Sequence, residues 1–308
     1  QSDGWLLAVD ELTRFLEEVA SAVSEPPKLA DHLHPMDMPA PDSLLLERTG
    51  PWFELVATLG QRTAQLHAAL SNTKNANFAP EPYTPFYQRA LAQGFRVQAR
   101  HSLRLLKASL KNLDDKTAEQ ASQVLAQEAD LLKRLHDVAG RTVRGKRIRG
   151  HGDLHLGQVL STGSDWVFID FEGEPKRSLG DRRVKRSPLR DVAGMVRSFY
   201  YAGQFSMRQA AMGVQESSTD HLRMWARAWY LWTASAYLRA YFAEIASAEI
   251  MAPDPEETRF LLDTFMLDKA LYELAYELDN RPTWVDIPLQ SILDLLHASP
   301  QIGEEASE

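Results

Sequence analysis

Between Arg149 and Pro175 the chain sets out three oxygen-bearing side chains at intervals that suit one reaction. The segment reads R-G-H-G-D-L-H-L-G-Q-V-L, then a turn from Ser161 to Asp165, then W-V-F-I-D-F-E-G-E-P. Asp153 stands five positions before the amide of Gln158, and Asp170 ends the apolar run Trp166-Val167-Phe168-Ile169. A transferring phosphoryl group needs its oxygens neutralised by Mg²⁺ and a base beside the attacking hydroxyl. A glycine-framed loop bearing an acid and an amide, followed by a strand ending in a second acid, meets both needs. These three side chains are expected to meet around one Mg²⁺ ion.

H-G-D-x-x-x-x-Q followed by D-F-E-G has the two-part form of the protein-kinase loop H-R-D-x-x-x-x-N and its later D-F-G acid. Gln in place of Asn lengthens the side chain by one methylene and is expected to move or weaken the second metal contact. Two other readings compete. The alternation His151-x-Asp153-x-His155 would put a metal cluster on one face of a strand, and the acids of a plain β-hairpin would only solvate its turn. Gly152 and Gly157 favour a tight loop over the cluster. The convergence of loop, turn, apolar strand and acid favours the reactive reading over the plain hairpin. His151 is expected to pack and hydrogen-bond, not to ligate.

Composition narrows the setting. At 308 residues there is ample chain to bury a core. A formal charge of -8 argues against extended contact with nucleic acid and with an anionic membrane surface. The cysteine count is 0, so disulfides and thiolate metal sites do not arise. No apolar run approaches membrane-spanning length and no signal peptide opens the chain, so a cytoplasmic protein is expected. Gln1 in place of Met leads us to expect an excised or processed piece.

The elements around the site read as helices. Leu6, Leu7, Val9, Leu12, Phe15, Leu16 and Val19 form a stripe that predicts a helix from about Trp5 to Val23. Residues 25–43 hold five prolines and read as an exposed loop. Pro51 is expected to open a second helix with Leu55, Leu59, Leu66 and Leu70 inward, and His67 on that stripe reads as core. Thr84-Pro85 predicts the cap and first turn of a helix to about Leu110. A further helix is expected from Asp114 to Ala139, closed by Gly140.

Beyond Pro175 the basic run K-R-S-L-G-D-R-R-V-K-R-S reads either as a positive rim near phosphates or as a solvated loop. A helix from Ser187 through Tyr200 carries Asp191, which resembles the kinase acid that opens the helix under the catalytic loop, and this likeness implies a structural role in supporting that loop with His151. Trp225, Trp229 and Trp232 share a helix face, suited to the core or to stacking on a sugar. Leu267, Leu271, Leu274 and Leu278 predict the inward face of another helix. Beside them Lys269, Tyr272, Glu273 and Tyr276 form a stripe suited to sugar hydroxyls or to solvent. A short helix from Leu289 to His297 precedes an acidic tail. The expected fold is mainly α, α+β overall: a helical bundle with one small β-hairpin. Helices and the proline-rich loop fill 1–148, the catalytic and metal loops 149–175, and helices 176–308, as one lobe.

H-G-D-L-H-L-G-Q-V-L, D-F-E-G-E-P, R-S-P-L-R-D-V-A-G-M-V-R-S-F and D-K-A-L-Y-E-L-A-Y-E-L together resemble the bacterial maltokinases, including the form fused to trehalose synthase. That group lies within the aminoglycoside-phosphotransferase and protein-kinase-like superfamily. The likeness runs from about Trp5 to Leu296 and implies a kinase-like C-terminal lobe. It implies transfer of the ATP γ-phosphate to the anomeric hydroxyl of maltose, with Asp153 as base and Gln158 and Asp170 on Mg²⁺. It points to Lys269, Tyr272 and Tyr276 for the sugar and to trehalose synthase as a partner. The sequence contains neither G-x-G-x-x-G nor a V-A-I-K strand. The β-rich N-terminal lobe is therefore expected to be absent, and the isolated chain nearly inactive without a cradle for ATP. Two further readings stand beside this one: a non-catalytic module that docks a partner such as trehalose synthase, and a kinase of the same group acting on another sugar or an aminoglycoside.

Overall fold

The structure, a computed structural model, describes residues 2–21, 25–41, 43–174, 178–212 and 216–298, without the side chains of 43–45, 47–48 and 216–218. Val23, Pro175, Lys176, Arg177 and the acidic tail lie outside these residues. The chain is mainly helical. It divides into two compact units, Gln1–Leu29, His34–Tyr83 and Val143–Leu262 in one, Ala30–Leu33, Thr84–Thr142 and Asp263–Glu308 in the other.

The first unit is built on long helices. α1 (Gly4–Ser21) packs on α7 (Leu189–Ala210), which the short α6 (Leu179–Arg183) precedes, and α2 (Ser43–Ser71) lies along α8 (Glu216–Ile245). Two expectations change here. Pro51 lies inside α2, not at its start. A proline within a helix forgoes one backbone bond, costing about 3 kcal/mol. The burial of Trp52 and Phe53 directly after it offsets that loss.

The inward face of α2 is also turned from the one the leucines mark. Trp52, Val56, Leu59, Gly60, Ala64 and His67 are buried, while Leu55, Leu66 and Leu70 are half-buried. The small residues decide it. A Cβ on Gly60 would sit 2.3 Å from the Tyr237 carbonyl oxygen, so the backbones of α2 and α8 meet there. In α1, likewise, Gly4 and Ala8 are buried and Leu6 is 53% exposed. Trp225, Trp229 and Trp232 are all buried; Trp229 stacks on Trp52 at 5.5 Å and Trp225 meets Phe15 edge-on at 5.5 Å. The tryptophan face is core.

Two small sheets complete this unit. β1 (Ser2–Asp3), β4 (Val159–Ser161) and β5 (Trp166–Phe168) form an antiparallel sheet in the order β1-β4-β5, with Val159 opposite Phe168 and Ser161 opposite Trp166. β2 (Glu81–Pro82) pairs with β3 (Lys146–Arg147). Strands of two residues leave no alternation to read, so β1, β2 and β3 went unforeseen.

The second unit packs α3 (Pro85–Ser109) on α4 (Asp115–Ala126) and α5 (Glu128–His136). Thr84 caps α3, its hydroxyl accepting the Tyr87 amide at 3.2 Å. The single helix expected from Asp114 to Ala139 is broken at Gln127, whose φ and ψ of -97 and 15 leave the helical region. Neither glycine nor proline marks that bend. Both pieces turn apolar residues inward, Ala121 and Val124 on α4, Leu131 and Leu135 on α5, and the bend lets both reach α3.

α9 (Pro255–Asn280) and α10 (Asp286–Ala298) supply the rest. On α9, Leu267, Leu271 and Leu274 are buried, but Leu278 is half-buried and Glu277 beside it is 1% exposed. Both Glu277 oxygens accept from Arg281, at 2.7 and 2.9 Å, which satisfies the buried carboxylate. Among the described residues no helix is long and apolar enough to cross a membrane.

Candidate active site

The loop from Arg149 to Gln158 lies along the first turns of α7 because three residues on one face of that helix receive it. Asp191 Oδ2 accepts the His151 amide at 2.7 Å and Oδ1 the Gly152 amide at 2.9 Å. One turn on, a Cβ at Gly194 would lie 2.5 Å from the Leu154 carbonyl oxygen, so the backbones are in contact. One turn further, the Ser198 hydroxyl accepts the Leu156 amide at 3.0 Å. Spacings of three and four along a helix give one ridge, and the ridge carries the loop. Glycine is required on the loop as well: a Cβ at Gly150 would lie 2.5 Å from Asp191 Oδ2, and Gly152 has a φ of +90.

Asp191 is buried, and a lone buried carboxylate is costly. His67 of α2, fully buried, completes its surroundings with Nε2 3.2 Å from Asp191 Oδ2, while its Nδ1 lies 2.9 Å from the Tyr241 hydroxyl. A carboxylate only accepts, so His67 donates from Nε2 to Asp191. Burial pushes the Asp191 pKa upward, but the hydrogen bond and charge of His67, with the Gly152 amide, outweigh it and leave it below the ordinary carboxylate value. Tyr241 moves the other way: burial, then the proximity of Tyr237 and Asp191, hold its pKa well above that of a free phenol. Reading His67 as core missed this contact. The one available signal was a histidine on an otherwise apolar stripe.

His151 ties the loop to the neighbouring strand. Its Nε2 lies 2.8 Å from the Ile169 carbonyl oxygen, and its Nδ1 accepts the Asp153 amide at 3.4 Å. Both ring nitrogens are engaged with backbone. Phe171 lies against the ring at 4.9 Å. His155 also turns inward on its own loop, its Nδ1 accepting the Gly157 amide at 3.1 Å. The alternating His-Asp-His metal cluster is thus not built, and among the described residues no group of three His, Cys, Asp or Glu side chains could hold a metal ion.

Gln158 and Asp170 meet at the open end of the hairpin. The β4–β5 ladder runs one step past the strands, with the Ile169 amide donating to the Gln158 carbonyl at 3.0 Å, and the Gln158 side-chain amide donates to Asp170 Oδ2 at 3.0 Å. Asp170 is exposed and has a φ of +62, a left-handed backbone that turns it out of the strand. Asp153 is half-buried on the loop that His151 anchors. An amide and a carboxylate in contact offer oxygen donors of the kind a hard divalent cation such as Mg²⁺ takes, so this pair fits the ion.

The basic run is partly spent inside the protein. The Lys185 ammonium is buried, 2.8 Å from Glu81 Oε1, and Arg147 pairs with Glu81 Oε2 at 2.8 Å. Arg149, Arg182 and Arg190 line a cleft with Gly150, Gly152 and Gly173 beside the loop. Lys269, Tyr272 and Tyr276 belong to the second unit, on the later turns of α9, where the Lys269 ammonium lies 5.2 Å from the Tyr272 ring centre.

The sequence profile of the phosphotransferase enzyme family matches residues 52–228, more than half of the chain. A glucosamine kinase of Streptacidiphilus jiangxiensis is 28% identical over 240 residues, 78% of this chain and 49% of that protein. One of Mycolicibacterium smegmatis is 30% identical over 166 residues, 52% of this chain and 37% of that protein. This chain therefore spans about half, or less, of the curated relatives it matches. A glucosamine kinase structure in complex with glucosamine, ADP and inorganic phosphate superposes with a TM-score of 0.68 at 22% identity, covering 96% of this chain and 57% of that one. At that identity the likeness speaks for the fold.

Proposed function

The chain belongs to the phosphotransferase enzyme family, and from that premise we propose that it carries the acid, amide and carboxylate that move the γ-phosphoryl group of ATP onto a sugar hydroxyl. The observation that supports this most is the contact of Gln158 with Asp170 at 3.0 Å, next to a loop whose histidine bonds the carbonyl just before Asp170.

Asp153 accepts the proton of the sugar hydroxyl as it attacks phosphorus. His151 and Asp191 hold the loop backbone so that this carboxylate keeps one position. Gln158 and Asp170 would hold Mg²⁺, which when bound would neutralise the phosphate oxygens. Lys269, Tyr272 and Tyr276 are the residues we propose for the sugar, on the chemistry of an ammonium and two phenols alone.

Two acceptors compete. Glucosamine stands first, because the similar proteins carry that name. Maltose, implied by the motifs around Asp153, Asp170 and Lys269, stands second. Trehalose synthase is named by none of the proteins described above, and the proposal does without it. Because the matched relatives are about one and a half times as long, we propose that the 308 residues alone transfer phosphate poorly.

ADP release with glucosamine, maltose, glucose and trehalose, measured on these residues and on the complete gene product containing them, tests this. Turnover with glucosamine supports the first acceptor, and turnover with maltose alone reverses the order. No turnover with any sugar by the complete gene product, or turnover that Asp153→Asn leaves unchanged, sinks the catalytic reading.

A further inference from the structure

We propose that Arg62 is a positioning residue for the cation ligands Gln158 and Asp170, acting through Asp165 at the tip of the hairpin that carries them. This rests on the phosphotransfer reading for what the two ligands do.

The Arg62 guanidinium donates from Nε to Asp165 Oδ1 at 2.7 Å and from Nη2 to Oδ2 at 2.9 Å. Two parallel bonds between a planar fork and both carboxylate oxygens fix orientation as well as distance. Asp165 is where that orientation matters. Its Oδ1 also accepts the Trp166 amide at 2.8 Å, and its carbonyl accepts the amide and hydroxyl of Thr162 at 2.9 and 3.1 Å, closing the turn between β4 and β5.

A second tether lies beside the first. The buried Trp166 ring donates Nε1 to the Leu55 carbonyl at 2.8 Å. Leu55 and Arg62 stand two helical turns apart on one face of α2, so the hairpin tip is held at two points along a rigid element. Gln158 precedes β4 and Asp170 follows β5, so any swing of the hairpin about its tip moves both ligands at once. On the other side of the guanidinium, Nη1 donates to Gln65 Oε1 at 2.6 Å, and Gln65 Nε2 to Glu244 Oε1 at 2.9 Å, which carries the network to α8.

His67 stands five residues beyond Arg62 on the same helix and holds Asp191. One helix thus supports both halves of the site, the loop of Asp153 through His67 and the hairpin of Gln158 and Asp170 through Arg62. Removing Arg62 releases the second half alone.

Two measurements test this, calorimetric titration of Mn²⁺ and hydrogen exchange at the Ile169 amide, which bonds Gln158. Both groups of the pair are about two-fifths exposed, so the effect is modest. Arg62→Ala and Asp165→Asn should each raise half-saturating Mn²⁺ about threefold, the double variant no further, and Arg62→Lys should fall between, since it keeps the charge and loses the fork. The difference from the parent should shrink, without vanishing, as salt is raised, because both groups are partly exposed while their bidentate contact is short. Exchange at Ile169 should quicken by a similar factor of about three.

A parent protein that takes up Mn²⁺ while Arg62→Ala titrates identically overturns this inference alone, even if the thermal midpoint falls. Unaltered exchange at Ile169 overturns it as well. A parent that takes up no Mn²⁺ removes the metal reading of Gln158 and Asp170 and the role of Arg62 with it.

Discussion

His67 Nε2 and the amide of His151 converge on one oxygen of Asp191, at 3.2 and 2.7 Å. A helix and a loop far apart in sequence are joined through a single buried carboxylate. Because that carboxylate has no water to fall back on, each donor removed leaves charge uncompensated.

Replacing His67 with Leu should therefore lower unfolding stability by about 3 kcal/mol, read from denaturant midpoints at constant slope. His67→Gln keeps a donor and should lose about 1 kcal/mol. In the active protein kcat should fall more than KM for either change, since the sugar does not touch His67.

Glycines at the loop–helix contact should tolerate no side chain. Gly194→Ala and Gly150→Ala drive a Cβ to 2.5 Å from an oxygen and should each cost about 2 kcal/mol, with loss of transfer. Gly94 of α3 is the control: nothing lies within 4 Å of an added Cβ, so Gly94→Ala should gain about 0.5–1 kcal/mol.

Asp153→Asn should reduce kcat by about a hundredfold or more while the thermal midpoint stays within about a degree of the parent, because the residue is half-buried. An equally active variant would show that Asp153 takes no proton.

Alkaline solution should unfold the first unit. Burial raises the pKa of Tyr237 and Tyr241 above the free phenol value, so the folded state holds protons that the unfolded state loses. The stability they contribute is complete below about pH 10 and falls as pH rises beyond it towards their folded values. Of the nine tyrosines, these two should give tyrosinate absorbance only as the helical circular dichroism collapses.

Much of this arrangement was legible in the residues. H-G-D-x-x-x-x-Q and D-F-E-G marked the loop and the acid, Trp166 to Ile169 marked a strand, and Thr84-Pro85 marked a helix start, because each is a local rule of spacing, alternation or capping. The bend at Gln127, the passage of α2 through Pro51 and the rotation of its inner face were not. Leucines flag where burial is favourable in general, whereas Gly60 and Ala64 show where another backbone arrives.

The sequence by itself determined the helical class of the chain and the spacing of Asp153, Gln158 and Asp170, since both follow from residues close together along it. Tertiary structure alone decided that His67 and Tyr241 stand behind Asp191 and that Arg62 holds the hairpin tip. Those contacts join segments whose local patterns carry no mark of one another. Only the packing of α2 against α8 and the hairpin brings their polar groups within bonding distance, and for His67, Tyr241 and Asp191 burial removes the water that would otherwise compete.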